Sequence, residues 1–247
     1  MASVLNKFIF FSDYFSMMLL RLALLLLLFS PAAFAARPFM TDDARITTDH
    51  SCQLESWLRV YPKSTELWAL PACNFTGNLE ITAGGGHARY DESPSSNDYV
   101  LQAKTVLKTL ETGGYGIALA VGKTQHPGSD LGPNGLGNTY AYVPVSFSFL
   151  EDKALVHTNL GWLRDRLTQR DNLTWGVGSE YALDKRLSLM AETFGDNRSH
   201  PFWQTGVRIF IVPDRVQVDS TIGNQRYGDK DTRWISIGIR LTPARLF

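Results

Sequence analysis

Twelve stretches of this chain alternate apolar with small or polar residues, one position at a time. Successive side chains of an extended strand point to opposite faces, so each stretch predicts a β-strand with one apolar face. In one of them, Tyr115, Ile117, Leu119 and Val121 form the apolar face, whereas glycine and alanine occupy the other. No amphipathic helical pattern of any length interrupts the series. The predicted strands span 51–61, 65–73, 78–90, 98–110, 114–122, 138–150, 153–163, 172–183, 186–194, 201–212, 215–223 and 233–242.

The first 35 residues are predicted to be a cleaved secretory signal peptide. A basic residue, Arg21, precedes an apolar run from Leu22 to Phe29, and Ala33-Phe34-Ala35 has the small-x-small pattern of a cleavage site. The run is too short for a membrane-spanning helix. The remaining chain has a net charge of about −1, so no field for binding nucleic acid is expected.

Alternation alone fits a soluble β-sandwich, whose apolar face points inward, or a transmembrane barrel, whose apolar face meets lipid. Connection lengths favour the barrel. They are short after the even-numbered strands and longer after strands three, five, seven, nine and eleven, the longest being the 123–138 loop. Only the first hairpin departs, with a tight turn at Pro62-Lys63. Short periplasmic turns and longer extracellular loops are typical of outer-membrane barrels.

Aromatic residues and the chain end agree with this assignment. Apolar-face aromatics fall near both ends of the predicted strands, as in the two girdles of membrane barrels: Tyr99, Trp162, Trp203, Tyr115, Phe149 and Tyr181. The last strand is followed by a terminal phenylalanine, Phe247, which resembles the signal read by the outer-membrane assembly machinery. We therefore predict an antiparallel transmembrane barrel of about 12 strands in the outer membrane of a Gram-negative bacterium, with membrane lipid and that machinery as partners.

The polar strand faces carry charges of both signs, which the interior of a barrel can pair. Glu55, Arg59 and Glu80 project from these faces. The residues singled out as lining the lumen are Lys104, Lys108, His157, Glu180, Glu192, Arg208, Asp219 and Arg240. Barrels of eight strands are filled by side chains and those of sixteen hold wide channels, so twelve strands predict a narrow pore or a plugged lumen.

The two cysteines are predicted to form a disulfide at the periplasmic rim. The turn at Pro62-Lys63 sets the register of the first hairpin and places Cys52 opposite Cys73. An exported protein meets an oxidising compartment, which favours the bond. The same register opposes two further pairs, Trp57 with Trp68 and Arg59 with Glu66.

No catalytic, cofactor or metal site is predicted. The five histidines are scattered without the spacing of metal ligands. Outer-membrane hydrolases pair a serine with a histidine, but His157-Thr-Asn159 offers no serine and Ser199-His200 falls in a loop. An outer-membrane lipid hydrolase stays an alternative.

Residues 36–50 precede the barrel domain, predicted as 51–247. Asp42 and Asp43 in this segment can bind a cation, cap a periplasmic turn or pair with Arg37 or Arg45, and the capped turn is the preferred interpretation. A second interpretation is a small plug, formed by these four residues, that folds into the lumen and meets its basic groups.

The stretch "RPFMTDDA" at 37–44, followed by "CQLESW" at 52–57, resembles the start of exported barrels grouped as the MetA-pathway of phenol degradation family. The resemblance implies an outer-membrane channel for aromatic or other small compounds, with no catalytic residues to carry over. Together with the barrel prediction it gives the expected function, passive passage of an unidentified small solute. A closed barrel with a structural or envelope-interaction role is the alternative.

Overall fold

The computed structural model describes residues 39–125, 139–165 and 168–243 of the 247. The predicted signal peptide, Arg37, most of the 123–138 loop and Phe247 lie outside them. The described residues form twelve strands, each within about three residues of a predicted one: β1 Ser51–Val60, β2 Ser64–Asn74, β3 Leu79–Tyr90, β4 Ser96–Lys108, β5 Tyr115–Gln125, β6 Thr139–Phe149, β7 Ala154–Arg164, β8 Asp171–Ala182, β9 Leu187–Asp196, β10 Phe202–Val212, β11 Val216–Gln225 and β12 Trp234–Leu241.

The strands close into a single antiparallel barrel in which each pairs with its neighbours in the chain. Strand β12 completes the ring against β1, from Leu54 opposite Leu241 to Val60 opposite Ile235. Closure leaves no unpaired edge, and it excludes the soluble sandwich that alternation alone allowed. Among the described residues, no helix has the length and apolar character required to span a bilayer.

The faces of the barrel are inverted relative to a soluble protein. Outward side chains are apolar and open, with Ile235 61% and Leu101 60% exposed. Inward charges are covered, with Lys104 3% and Asp219 0% exposed. Such an arrangement is stable only if lipid covers the outside. The six predicted girdle aromatics are all outward and exposed: Tyr99, Trp162, Trp203, Tyr115, Phe149 and Tyr181.

The two ends of the barrel differ in their connections. At one end, called here the short-turn end, tight turns join β2 to β3, β4 to β5 and so on. The β6–β7 turn is typical: Leu150, Glu151 and Asp152 have positive φ values of 54°, 55° and 66°. At the other, the long-loop end, most connections are longer. Strand β1 starts at the short-turn end, so the N-terminal segment enters the barrel wall there.

The first hairpin has the predicted register. Cys52 lies opposite Cys73 and the two form a disulfide with an S–S distance of 2.07 Å. Trp57 lies opposite Trp68, and their buried rings stack with centroids 5.6 Å apart. The inward face of this hairpin therefore contributes an indole pair to the lumen.

Candidate functional site in the barrel lumen

The N-terminal segment, residues 39–50, lies inside the barrel and runs from the long-loop half toward the short-turn end. Met40 packs against a buried cluster of Tyr61, Phe194 and Trp234 near the long loops. The Thr47 N–H donates to Glu80 Oε2 at 2.7 Å, near the start of β3. The chain then turns into β1, so this segment passes along the lumen beside the wall.

Wall side chains satisfy the backbone of this segment. The N–H groups of Met40 and Thr41 both donate to the Glu192 carboxylate at 2.8 Å. Asn159 accepts from the Asp42 N–H at 2.7 Å and donates to its carbonyl oxygen at 2.8 Å. Buried backbone groups need such partners. Because the segment adds no strand to the sheet, these inward side chains replace the hydrogen bonds of a sheet ladder.

Lys104 holds the two adjacent aspartates of the segment. Its Nζ lies 2.8 Å from Asp42 Oδ2 and 3.7 Å from Asp43 Oδ1, and both side chains of the shorter pair are buried. Tyr142 also donates to Asp42, at 2.8 Å. Burial raises the pKa of Asp43, but Lys104 and other nearby cations outweigh it, so this pKa lies below its ordinary value. Arg45 is exposed and donates only its backbone N–H to Asp43, at 2.8 Å.

Two glycines of β8 provide the space for this segment. A Cβ atom at Gly176 would lie 2.5 Å from Thr41 Oγ1, and one at Gly178 would lie 3.3 Å from the Phe39 ring. Larger residues at these positions would push the segment off the wall.

Arg208 forms a second ionic group on the wall itself. Its Nε and Nη2 donate to the two oxygens of Asp219 at 2.9 and 3.2 Å, and its Nη1 donates to Glu180. Gln217 adds a hydrogen bond to Asp219 at 2.8 Å. Each edge of this buried guanidinium therefore meets a carboxylate, as a buried charge requires.

His157 lies between Glu180 of the second ionic group and Ser146, which contacts the N-terminal segment. Its Nδ1 lies 2.7 Å from Ser146 Oγ and its Nε2 lies 3.7 Å from Glu180 Oε1. This order of acid, histidine and serine resembles a hydrolase triad, but Ser146 is 0% exposed and accepts the Ala44 N–H at 2.8 Å. The described geometry therefore uses Ser146 to hold the segment.

Two predicted lumen residues lie away from this centre. A β-bulge between Val106 and Lys108 shifts the register of β4, so that Lys108 pairs with the outward-facing Ile117. Its ammonium lies 3.5 Å from the Tyr115 ring centroid. Lys108 is thus outside the lumen, at the lipid boundary, where a lysine ammonium can stay hydrated. Arg240 does line the lumen, near the short-turn end.

A cavity of about 640 Å³ remains beside the N-terminal segment. Segment residues and the walls of most strands line it, including the Trp57–Trp68 pair. Arg59 also lines it and is only 3% exposed, with its guanidinium 5.5 Å from the Trp234 ring centroid. Among the described residues, Arg59 Nε and Nη2 and Trp57 Nε1 have no hydrogen-bond partner. The alternation in the sequence predicted that Arg59 lies on the polar face, but it did not predict that these guanidinium nitrogens lack hydrogen-bond partners.

The closed ring, its apolar outer face and its charged interior define a transmembrane β-barrel of the outer-membrane type. Solved structures agree on the fold: the KdgM porin has a TM-score of 0.59 at 11% identity, covering 78% of this chain and 99% of that one. The NanC porin has a TM-score of 0.53 at 10% identity, covering 77% and 98%. For the Acinetobacter baumannii outer membrane protein Omp33 the score is 0.50 at 10% identity, covering 78% and 97%.

The chain belongs to the family described as "Uncharacterised conserved protein UCP029691", whose model matches residues 23–242. This description does not name the phenol-degradation family that the start of the chain resembles, so membership of that family stays a prediction. A search of curated proteins gives no match.

Proposed function

We propose that this chain is a passive channel for small solutes in the Gram-negative outer membrane, held closed by its own N-terminal segment. The observation that carries the proposal is the way Lys104, Glu192 and Asn159 of the wall hold residues 40–43. A barrel with only a structural role has no need of a lumen built to bind a removable segment. The neighbouring cavity of about 640 Å³ is the beginning of a pathway that release of the segment would complete.

The segment is attached to the wall by polar contacts more than by apolar packing. Its backbone donors end on side chains, and its aspartates end on a lysine. Ionic and hydrogen-bonded contacts can be exchanged for water at modest net cost, because water offers the same partners. An apolar plug would instead be held by the hydrophobic effect throughout. This favours a segment that leaves and returns.

Single-channel conductance in a planar bilayer tests the proposal. Residues 36–247 should be mostly silent with brief openings, whereas a form starting near Thr48 should conduct steadily. Heat-dependent gel mobility must first show that both forms are folded. A matched control is Lys108→Gln in the full chain, which removes a charge outside the lumen and should leave the silent behaviour unchanged.

Each alternative function predicts a different result in the conductance recordings. Silence from both folded forms would favour the closed structural barrel and overturn the channel. Equal, steady conductance from both forms would keep the channel and overturn closure by the segment. The narrower hypothesis is the passage of aromatic or hydrophobic compounds, and it rests only on the resemblance over residues 37–57. Reversal potentials measured with aromatic anions in the form starting near Thr48 would test it.

A further inference from the structure

Arg59 is a buried cation with an unfilled binding edge. Its Nε and Nη2 lie along one edge of the planar guanidinium, and neither has a hydrogen-bond partner in the part of the chain that the structure describes. These two N–H groups form the fork that receives both oxygens of a carboxylate. Glu66 lies opposite Arg59 in the hairpin register, so a first carboxylate is already nearby.

The lumen shows what normally fills such an edge. Arg208 presents the same two atoms, Nε and Nη2, to Asp219, while Glu180 takes its other edge. One guanidinium of this barrel therefore accommodates two carboxylates. Arg59 has the same chemistry and is 3% exposed, against 11% for the Arg208 side chain, but no described carboxylate is hydrogen-bonded to its Nε–Nη2 edge.

The surroundings of Arg59 are aromatic. Trp57 lies two residues before Arg59 on the inward face of β1 and stacks on Trp68, and the Trp234 ring centroid is 5.5 Å from the Arg59 guanidinium. The cavity that Arg59, Trp57 and Trp68 line has a volume of about 640 Å³, within the range of about 300–1,000 Å³ typical of small-molecule sites. A solute beside Arg59 would meet the guanidinium fork and two indole rings, in a cavity whose other walls carry charged and polar groups.

We propose that Arg59, with the Trp57–Trp68 pair, forms a binding site for a small carboxylate that carries a flat apolar ring, of which an aromatic carboxylate is the simplest case. The carboxylate fills the Nε–Nη2 edge, and the ring packs on the indoles, where offset stacking is favourable. This inference rests on the proposed channel function and names the class of solute that the channel would accept.

An acidic sugar shares the carboxylate but fits less well. Each sugar hydroxyl moved from water to a site lined by indole rings needs a new hydrogen-bond partner, and an unmatched one is costly. Within the indole pair, Trp68 Nε1 already donates to Glu66, so only Trp57 Nε1 is left without a partner among the described residues. A ring without hydroxyl groups avoids that cost.

Isothermal titration of residues 36–247, folded in detergent micelles, tests the site with benzoate as the probe. Benzoate should bind with one-to-one saturation. Acetate lacks the ring, benzyl alcohol lacks the carboxylate, and galacturonate replaces the flat ring by a hydroxylated one. Each should bind about 10-fold more weakly or worse, since each loses one of the two contacts.

Arg59→Lys keeps the charge but loses the fork, so benzoate affinity should fall about 10- to 100-fold. The matched control is Arg164→Lys, which changes a partly exposed arginine that pairs with Asp171 at 2.8 Å away from the cavity and should leave benzoate affinity unchanged. Gel mobility and circular dichroism check folding, and Arg59→Gln is the second variant if Arg59→Lys does not fold.

The proposal is overturned if benzoate does not bind, if Arg59→Lys binds it as tightly as the parent, or if galacturonate or benzyl alcohol binds as tightly as benzoate. These outcomes are separable from the channel itself, because conductance of the form starting near Thr48 needs no benzoate. Steady conductance with no benzoate binding keeps the channel and removes the site.

Discussion

Arg208 and Arg59 are both buried arginines of the lumen wall, yet their surroundings differ. Arg208 has carboxylates on both edges, supplied by β8 and β11. Arg59 has an edge without a partner among the described residues, and aromatic rings lie around it. A buried charge needs a counter-charge wherever it lies. The wall fills this requirement permanently at Arg208, and at Arg59 we propose that an exchangeable anion fills it.

Lys104 is intermediate between these two arginines in how its counter-charge is supplied. Its counter-charge is Asp42, which belongs to the chain but not to the wall. The three cations therefore form a series: Arg208 has fixed anions, Lys104 has an anion on a segment that we propose can leave, and Arg59 has an open edge. The difference lies in how firmly each anion is attached, and this is what variants can measure.

The largest expected effect is on stability, from Arg208→Met. Glu180 and Asp219 would stay buried without their cation, and breaking a buried pair in this way costs about 3–5 kcal/mol. Arg59→Met should cost less, because it removes a cation that is incompletely paired. Urea-dependent unfolding of both variants in lipid vesicles measures the difference. If Arg59→Met destabilises the barrel as much as Arg208→Met, the contrast between the two arginines is wrong.

Lys104→Met should act on closure more than on stability. In the seated segment, Asp42 and Asp43 would lose their buried cation. In the released segment they are in water and need no cation, so the substitution raises the free energy of the seated state alone. A cost of about 3 kcal/mol raises the ratio of open to closed channels about 100-fold. Single-channel recording measures this ratio. Lys108→Gln is the control outside the lumen, and equal ratios for Lys104→Met and the parent would contradict the role of Lys104.

Glu192→Gln should have a smaller effect of the same kind. The amide oxygen still accepts from one N–H of Met40 or Thr41, but the charge that strengthens both bonds is lost. A loss of about 1.5 kcal/mol raises the ratio of open to closed channels roughly tenfold. The same recordings check it, with the form that starts near Thr48 as a reference in which Glu192→Gln should change nothing.

The smallest expected effect comes from acid. The pKa of Asp43 is lowered in the seated segment, so its ionised form favours seating. That contribution is complete above the ordinary aspartate pKa of about 3.9 and is lost as the pH falls through the lowered pKa. Asp43 is 31% exposed, so solvent screens the gain, and between pH 7 and pH 3 open channels should increase only about two- to fivefold. In Asp43→Asn this component of the pH dependence should disappear.

Much of the fold could be predicted because lipid outside and charge inside impose strict alternation on every strand. The first hairpin shows how far this goes, since its turn alone placed Cys52 opposite Cys73. Lys108 shows the limit. The bulge at Val106 exchanges the two faces of β4 for its last residue, and no departure from alternation in the sequence marks that point.

The lumen contacts were harder to predict because they join residues distant in the chain. Ser146 and His157 could have been found, since the tight β6–β7 turn sets their register in the same way. The contacts of Asp42 with Lys104, Tyr142 and Asn159 could not, because alternation says only that a residue faces inward. The open edge of Arg59 depends on where every neighbouring side chain ends.

The point where the N-terminal segment joins β1 has a consequence for how the lumen closes. Residues 39–50 continue directly into β1, whose second residue, Cys52, is cross-linked to β2 by the disulfide with Cys73. Twelve extended residues reach at most about 40 Å, which exceeds the roughly 25 Å height of the apolar band. A released segment therefore remains tethered and returns at an effective concentration on the order of millimolar. Any solute that enters the lumen therefore competes with this segment, whose local concentration does not change when the protein is diluted.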